Sequence, residues 1–233
     1  MRGLFITFEG TEGCGKSTQI ARLAERLKSI GHKVLVLREP GGTAIGEEIR
    51  HLLKNHPAGE RMFPETELLL MNASRAQLVR EVILPARGEG AVILCDRFYD
   101  STVAYQVFGR QLEPKEVADI IDFAIAGTRP DLTLVLRVPL GVSEGRRAER
   151  GGKADRFEAA DRGFFQRVEQ GYREIAETEG PRVREIDGSK SVEEVEAEIW
   201  RWVDPLVHTL EEQGSTVAKS IGEEEQRGLR GVK

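Results

Sequence analysis

Five short apolar runs, separated by helical patterns, constrain the fold of this 233-residue chain more than any other feature. In chain order they are LFITF (4–8), KVLVL (33–37), AVILC (91–95), LTLVLR (132–137) and RVREI (182–186). The first four are nearly continuous, which is typical of parallel strands buried on both faces, whereas the fifth alternates as an edge strand does. Strands that alternate with helices form a parallel sheet with right-handed crossovers. The sequence therefore predicts an α/β domain with a five-stranded parallel sheet flanked by helices.

Apolar periodicity predicts the helices between these strands. Residues 17–30 carry one apolar face, and Gly31 is expected to end that helix. A second helical pattern begins at Glu65 and is expected to stop at Pro85, because proline interrupts a regular helix. A third begins with the capping box Ser191–Glu194.

The last part of the chain differs in composition from the rest. After about Leu210 the sequence becomes polar and loses its periodicity. Segments of this composition bury too little apolar surface to fold by themselves. Residues 1–210 are therefore predicted to form the domain, and residues 211–233 to form a disordered polar tail.

Charge and cysteine content limit the partners and the compartment. The net charge of −5 argues against broad contact with nucleic acid, which requires a basic face. Cys14 and Cys95 belong to no metal-ligand spacing and are expected to be free thiols in a reducing compartment. No apolar stretch reaches the roughly 18 residues that a membrane span requires. We therefore expect a cytoplasmic protein that binds neither nucleic acid nor membrane.

The most specific motif is the stretch EGTEGCGKST at residues 9–18. It contains G-x-x-x-x-G-K-[ST] between a predicted strand and a predicted helix, which is the context that this phosphate-binding motif requires. Backbone N–H groups and the helix N-terminus would hold the phosphates of ATP. Lys16 would neutralise the β- and γ-phosphates, and Ser17 would offer an oxygen to Mg²⁺. The predicted phosphate-binding residues are Gly10, Thr11, Glu12, Gly13, Cys14, Gly15, Lys16, Ser17 and Thr18.

An acidic residue follows the third apolar run. Asp96 comes directly after AVILC, at the carboxyl end of a predicted strand, where ligands bind in folds of this kind. With Ser17 it is the predicted Mg²⁺ ligand, and Glu9 is a second candidate at the same edge.

Basic residues cluster around a glycine pair later in the chain. The stretch EGRRAERGGKADRFE places Arg146, Arg147, Arg150, Lys153 and Arg156 close together. A basic flap over about residues 141–157 that closes on the transferring phosphates would have this composition. The alternative is a solvated helix whose arginines pair with neighbouring glutamates. The phosphate loop favours the flap, and we treat this segment as a lid.

Two classes of protein fit a phosphate loop in a chain of this length. One hydrolyses the nucleotide as a switch or motor, and the other transfers the phosphoryl group to a small molecule. The sequence has no N/T-K-x-D guanine-reading motif, and its length leaves little room for a motor's additional module. The basic lid favours transfer to a small molecule.

Several further motifs, in order, resemble those of the thymidylate kinase family over about residues 3–208. They are FEGTEGCGKST, REPGGT (38–43), ASRAQ (73–77), DRFYDSTVAYQ (96–106) and the lid ending in DRFE (155–158). The resemblance implies the three-layer P-loop nucleoside monophosphate kinase fold and the reaction ATP + dTMP → ADP + dTDP with Mg²⁺, a step in dTTP synthesis for DNA replication. It also implies a homodimer formed through helices on one side of the sheet, for which the apolar stripe of the Leu68–Leu84 helix is available.

The resemblance assigns roles in the acceptor site. Glu12 would accept from the 3′-hydroxyl of the acceptor sugar, Arg97 would bridge the donor and acceptor phosphates, and Tyr105 would occupy the space of a ribose 2′-hydroxyl. The residues that it places around dTMP are Glu12, Arg38, Pro40, Met71, Arg75, Arg97, Ser101, Thr102, Tyr105 and Gln106. Of these, Arg75, Thr102 and Gln106 would read the thymine edge.

The phosphate loop lacks the catalytic arginine that one subclass of this family carries there. The sequence therefore resembles the other, typically bacterial subclass, which relies on lid arginines. Lys16 and Arg97, together with Arg147 and Arg150 of the lid, are the predicted catalytic residues. An arginine delivered to the transition state can raise the rate of phosphoryl transfer by about 10³–10⁵-fold.

One residue departs from the family pattern. Four residues before Arg75 the family commonly has a phenylalanine or tyrosine that stacks on thymine, whereas this chain has Met71. Kinases of dUMP or of another deoxynucleotide thus remain alternatives, as does a P-loop ATPase that has lost its acceptor site. Residues 187–191 (DGSKS) resemble the family's adenine-side loop but also fit a plain turn and helix cap.

Overall fold

The five apolar runs form the five strands of one parallel sheet. The computed structural model describes residues 3–150, 156–157 and 160–230, with the side chains of all these except 58, 60, 147, 150 and 213–230. The strands are β1 (Phe5–Glu9), β2 (Val34–Arg38), β3 (Val92–Asp96), β4 (Leu132–Arg137) and β5 (Val183–Asp187). Their order in the sheet is β2-β3-β1-β4-β5, and all neighbours run parallel. The predicted sheet is confirmed, including the position of β5 at an edge.

Helices cover both faces of this sheet. They are α1 (Lys16–Ser29), α2 (Ala44–Lys54), α3 (Pro64–Leu78), α4 (Leu84–Gly88), α5 (Tyr99–Thr102), α6 (Pro114–Ile125), α7 (Leu140–Arg150), α8 (Arg162–Thr178) and α9 (Val192–Arg230). A 3₁₀ turn (Pro57–Arg61) precedes α3, and π-helical turns follow α3 (Val79–Ile83) and α5 (Val103–Gly109). None of the helices in the described ranges is long and apolar enough to cross a membrane.

Buried apolar side chains join the helices to the two faces. On one face, Leu27 of α1 and Ile199 of α9 pack against strand residues such as Phe8. On the other, α3, α6 and α8 contribute further buried residues, among them Leu78 and Ile121. The result is the predicted three-layer arrangement.

Strand order decides where a ligand can bind. β1 lies between β3 and β4. The crossover after β1 leads to β2 on one side of it, whereas the crossover after β3 leads to β4 on the other side. Phe8 of β1 is level with Asp96 of β3 and with Leu134 of β4. The phosphate loop after β1 and the DRFYDST segment after β3 therefore meet at the carboxyl edge of the sheet, where ligands bind in open α/β folds.

The apolar run of β2 is less buried than its composition indicates. It lies at an edge of the sheet, and Val36 is 49% exposed. The expectation that the first four strands are buried on both faces is wrong for this strand. Apolar composition alone does not distinguish an edge strand from a central one.

The expectation that Pro85 ends a helix is also wrong. The chain continues from α3 through the π-helical turn into α4, and Pro85 lies in the first turn of α4. Proline is tolerated in a first turn because no intrahelical acceptor is needed for its missing N–H.

The last helix extends into the segment that the sequence indicates as a disordered tail. Helix α9 runs to Arg230, so residues 211–230 have a helical backbone. The glutamates and glutamines of this segment are good helix formers. Leu210 is the last residue of α9 in the described core. The domain boundary near residue 210 remains a prediction.

Candidate active site

The phosphate loop is built around glycines with left-handed backbone angles. Gly10, Gly13 and Gly15 have φ of 125°, 81° and 102°. At Gly10 a Cβ atom would lie 2.2 Å from the carbonyl oxygen of Leu136, so no larger residue fits. Helix α1 begins directly after the loop, and its free N–H groups and positive end point into the cavity that the loop lines. This arrangement suits a bound phosphate chain.

Lys16 lies at the first position of α1 and is held within the loop. Its Nζ donates to the carbonyl oxygens of Gly10 and Thr11, both at 3.1 Å, and contacts Cys14 Sγ at 3.6 Å. The side chain is buried and lines the cavity, so its positive charge is fixed beside the anion site.

Glu12 turns its side chain out of the loop towards the end of β3. Its Oε1 accepts from Arg97 Nη2 at 2.7 Å, and its Oε2 accepts from the Tyr105 hydroxyl at 3.0 Å. Burial on its own would raise the pKa of Glu12, but the charges of Arg97 and Lys16 outweigh burial and lower this pKa to about 2. Glu12 is therefore an anion under all ordinary conditions.

Arg97 is the centre of a hydrogen-bonded cluster. Its φ of 71° is rare for a residue with a side chain, as is common where the surrounding structure holds a functional residue in place. Its Nη1 donates to Ser101 Oγ at 3.0 Å and to the Tyr172 hydroxyl at 3.2 Å, and its Nη2 also donates to the Tyr105 hydroxyl at 3.1 Å. The guanidinium is thereby fixed at the junction of the phosphate loop and β3.

Glu9 supports this cluster from the end of β1. It accepts from the Phe98 N–H at 2.7 Å, from the Tyr172 hydroxyl at 2.9 Å and from the Ser101 hydroxyl. Burial, with the nearby charge of Asp100, raises the pKa of Glu9 to about 7. The candidate role of Glu9 as a metal ligand is less suited to this environment than a role in positioning Ser101 and Phe98.

Arg75, the predicted base-reading residue, is buried and fully engaged. It donates to Glu39 at 2.8 Å, to Asn72 Oδ1 at 2.8 Å, to Thr102 Oγ1 at 2.9 Å and to the Phe98 carbonyl at 3.1 Å. Burial raises the pKa of Glu39 to about 7, although Arg75 opposes that rise. Because Arg75 donates to Thr102, the hydroxyl hydrogen of Thr102 stays available, and no described residue accepts from it.

A single cavity of about 670 Å³ contains most of the predicted residues. Its lining joins the phosphate loop and α1 to the predicted acceptor residues Arg38, Pro40, Met71, Arg75, Arg97, Ser101, Thr102, Tyr105 and Gln106. Arg38 is only loosely placed: its side chain is 52% exposed and is paired with Glu47. The Glu39–Pro40 peptide bond is cis. The cavity thus spans the distance from the donor loop to the acceptor residues.

Asp96 and Ser17 line the same cavity. Asp96 Oδ1 is buried and has no hydrogen-bond partner in the described part of the chain, whereas Ser17 is exposed at the start of α1. In the part of the chain that the structure describes, no three or more acidic, histidine or cysteine side chains form a group that could bind a metal. One carboxylate and one hydroxyl are nevertheless enough for Mg²⁺, which keeps several waters and takes other ligands from phosphates.

The lid is placed in part. Helix α7 covers its first half, and Arg146 donates to the carbonyl oxygens of Gly188 at 3.2 Å and Gly13 at 3.4 Å. Arg146 thereby joins the phosphate loop to the DGSKS segment, whose Gly188 and Lys190 also line the cavity. The side chains of Arg147 and Arg150, the lid residues predicted to be catalytic, lie outside the described residues, as does Lys153.

Several residues of the site do not stand out in the sequence. Arg50 lines the cavity and donates to the Pro40 carbonyl at 2.8 Å, although it lies on a helix with no motif. Tyr172 comes from a segment distant in sequence and is recognisable only once α8 is packed against the π-helical turn. The acidic partners Glu39 and Glu67 could have been suspected, because a buried arginine near either position needs an anion.

The sheet order, the phosphate loop and the joined acceptor pocket define a P-loop nucleoside monophosphate kinase fold. The thymidylate kinase family model matches residues 8–199, and the chain belongs to this family. It is 48% identical over 196 residues to thymidylate kinase of Geobacter sulfurreducens, covering 82% of this chain and 92% of that protein. It is 46% identical over 209 residues to the Deinococcus radiodurans enzyme, covering 89% and 99%. The crystal structure of Ehrlichia chaffeensis thymidylate kinase matches with a TM-score of 0.71 at 29% identity, covering 87% of this chain and all of that one.

Proposed function

We propose that this chain transfers the terminal phosphoryl group of Mg·ATP to dTMP and so forms dTDP and ADP. The observation that carries the proposal is the Glu12–Arg97 contact, which joins the phosphate-binding loop to the acceptor side of one cavity. A hydrolase would need only the loop. Here Glu12, which lies between the glycines of the loop, instead bonds to Arg97 on the acceptor side.

The donor side consists of the loop, Lys16 and the start of α1. Backbone N–H groups of residues 11–18 hold the phosphates, and Lys16 stabilises charge on the transferring group. When Mg²⁺ is bound, Ser17 and Asp96 would hold it, and it would neutralise phosphate charge. A mutation of Asp96 to Asn is then expected to raise the Mg²⁺ concentration needed for half-maximal rate.

The acceptor side has Arg97 at the phosphate and a polar edge for the base. Thr102 supplies a donor and Gln106 lines the same wall, while Glu12 accepts from the 3′-hydroxyl of the sugar. Tyr105 is held by Glu12 and Arg97, so its ring is fixed where it favours a deoxyribose. There is no covalent intermediate, and the rate arises from aligning two anions and from neutralising their charge.

The experiment that tests this function measures ADP release from Mg·ATP with dTMP, dUMP, UMP, dCMP, dGMP, AMP or no acceptor. A strong preference for dTMP is the expected result. Preference for another monophosphate would keep the kinase mechanism and contradict the base assignment. ADP release that needs no acceptor would contradict the proposal as a whole.

The exposed apolar residues of α3 and α6 support a homodimer. These two helices pack beside each other on one face of the sheet, and Leu69 and Phe123 are 56% and 80% exposed. In sedimentation experiments the chain is expected to run as a dimer that Leu69→Glu together with Phe123→Glu dissociates. Trp202→Glu on α9, at the opposite face, is the control and should leave the mass unchanged. A wild-type monomer would contradict this proposal.

The free, buried thiols of Cys14 and Cys95 fit a reducing compartment, and we place the protein in the cytoplasm. The acceptor in this proposal is a free mononucleotide.

A further inference from the structure

Glu67 is a buried carboxylate of α3 that the mechanism above does not use. It is 1% exposed, and three side chains from other segments converge on it. Gln106 donates its Nε2 to Glu67 Oε1 at 2.8 Å, and Arg110 donates to the same Oε1 at 3.2 Å and to Oε2 at 3.0 Å. Arg156, at the end of the lid, forms an ion pair with Oε2 at 2.6 Å. Two arginines therefore pair with Glu67 and fix the position of its carboxylate.

The charge of Glu67 decides which way the Gln106 amide points. An ionised carboxylate can only accept hydrogen bonds, so it must face the amide NH₂ group and not the amide oxygen. The opposite orientation would place two acceptors together in a buried site, which is strongly unfavourable. The orientation of Gln106 is thus fixed by the chemistry of its partner.

The other amide atom, Gln106 Oε1, is left for the cavity. Gln106 lines the cavity wall, and none of the described residues donates to this oxygen. Gln106 is 1% exposed but lines the cavity, so this oxygen is the amide atom that it can offer to a ligand there. The wall therefore presents an acceptor at Gln106 beside the donor at Thr102.

The acceptor at Gln106 and the donor at Thr102 match the edge of thymine or uracil and do not match the edge of cytosine. Thymine and uracil offer the O4 acceptor beside the N3–H donor, whereas cytosine offers an amino donor beside the N3 acceptor. Turning the Gln106 amide over would replace the acceptor with a donor and favour the cytosine pattern. A site that is built to pair with a substrate group rejects the analogue that leaves its own polar groups unpaired.

We propose that Glu67 is a positioning residue that sets base selectivity by holding the Gln106 amide with its oxygen towards the substrate. The proposal rests on the proposed function, because it assumes that a pyrimidine base lies against this wall. It adds that Glu67, which does not touch the nucleotide, causes the selectivity against cytosine by holding the Gln106 amide. The same carboxylate binds Arg156, so the base-reading wall is also tied to the end of the lid.

Glu67→Gln is the informative substitution, because it keeps the shape and removes the charge. The single carbonyl oxygen of the new side chain would turn to the two arginines on the Oε2 side, which leaves its NH₂ group facing Gln106. Gln106 must then turn over and present NH₂ to the base. We expect the KM for dTMP to rise roughly 10- to 100-fold, with dCMP use unchanged or improved and kcat little affected.

Two variants separate this effect from damage to the fold. Arg110→Gln removes a partner of the same carboxylate but leaves Gln106 oriented, so it should keep the wild-type ratio of kcat/KM for dTMP over dCMP. The exchange Glu67→Gln with Gln106→Glu moves the carboxylate from α3 to the cavity wall. The amide introduced at position 67 then donates to one oxygen of the carboxylate introduced at position 106. The second oxygen of that carboxylate is again an acceptor for the base, and the dTMP preference should return.

The test measures kcat and KM for dTMP and dCMP, and the melting temperature, for wild type and the three variants. The proposal is overturned if Glu67→Gln folds and keeps the wild-type ratio, or if both substrates lose equally. If that single variant does not fold, the double exchange decides: a folded enzyme that prefers dTMP supports the proposal. A double variant that has lost the preference, or that does not fold, contradicts it. Failure of the proposed function would appear separately, as a wild-type enzyme that does not prefer dTMP.

Discussion

Glu12 of the phosphate loop and Arg97 at the end of β3 form an ion pair with an N–O distance of 2.7 Å. Their side chains are only 16% and 15% exposed, so the pair is shielded from solvent. Glu12 therefore does not oppose the phosphates in the loop that carries it. Its carboxylate bonds to Arg97, the arginine that is predicted to contact the acceptor phosphate.

Replacing Glu12 with Ala is expected to impair the use of dTMP and to leave ATP binding nearly intact. The carboxylate bonds to Arg97 and Tyr105, both predicted acceptor-side residues, and a lost hydrogen bond to a charged group costs about 1.5–3 kcal/mol, or roughly 10- to 150-fold in KM for dTMP. Steady-state kinetics and nucleotide titration check this. Glu25→Ala, an exposed residue of α1, is the control. Equal losses for ATP and dTMP would remove Glu12 from the acceptor site.

The ionisation of Glu12 also predicts how stability depends on pH. Its pKa falls from 4.5 to about 2 on folding, so Glu12 stabilises the protein above pH 4.5, and this contribution is lost as the pH falls towards 2. Glu12→Gln should therefore be less stable than wild type at pH 6, by up to about 3 kcal/mol. The difference should shrink as the pH falls below 4.5. Urea unfolding at several pH values measures it, and a difference that is constant over this range would contradict the assignment.

Arg97→Ala is expected to lower kcat by at least about 100-fold, because the preorganised positive charge that stabilises the transferring phosphoryl group is lost. Arg97→Lys should recover little, because one ammonium group cannot reproduce the four contacts that the guanidinium makes with Glu12, Ser101, Tyr105 and Tyr172. Melting temperatures of both variants control for folding. A turnover number near that of wild type would exclude Arg97 from the mechanism.

Met71→Phe is expected to tighten dTMP binding. Met71 is half-buried against the apolar cluster that contains Tyr105 and Phe157, and it lines the cavity, where a flat ring could stack on the base. An aromatic pair adds about 0.5–1.5 kcal/mol beyond area burial, so the KM for dTMP should fall about 2- to 10-fold, with the KM for ATP unchanged. A rise in the KM for dTMP would show that the pocket has no room for the ring and that Met71 is part of its shape.

The sequence predicts the sheet and the donor side well because both depend on local patterns. The phosphate loop, from Gly10 to Ser17, needs only a strand before it and a helix after it, and both are visible in the apolar periodicity. The strands were recognisable for the same reason, although the exposure of Val36 depends on its place at the edge and not on composition.

The acceptor side depends on long-range contacts and was only partly predictable. Arg75 is identified by a motif, and Asn72 lies one turn before it on the same helix. Its other side-chain partners, Glu39 and Thr102, come from two distant segments. The role of Glu67 is of the same kind, because its partners Gln106 and Arg110 lie 39 and 43 residues away. No pattern of neighbouring residues reports such a contact.

The most direct test of the account is to count the products. With limiting ATP and an excess of dTMP, chromatography should show one dTDP for each ADP formed, and almost no ADP without an acceptor. That result would mean that the phosphoryl group passes to dTMP while water is excluded. ADP formed without dTDP, or at the same rate when dTMP is absent, would contradict transfer between two bound anions and with it the role given to Glu12 and Arg97.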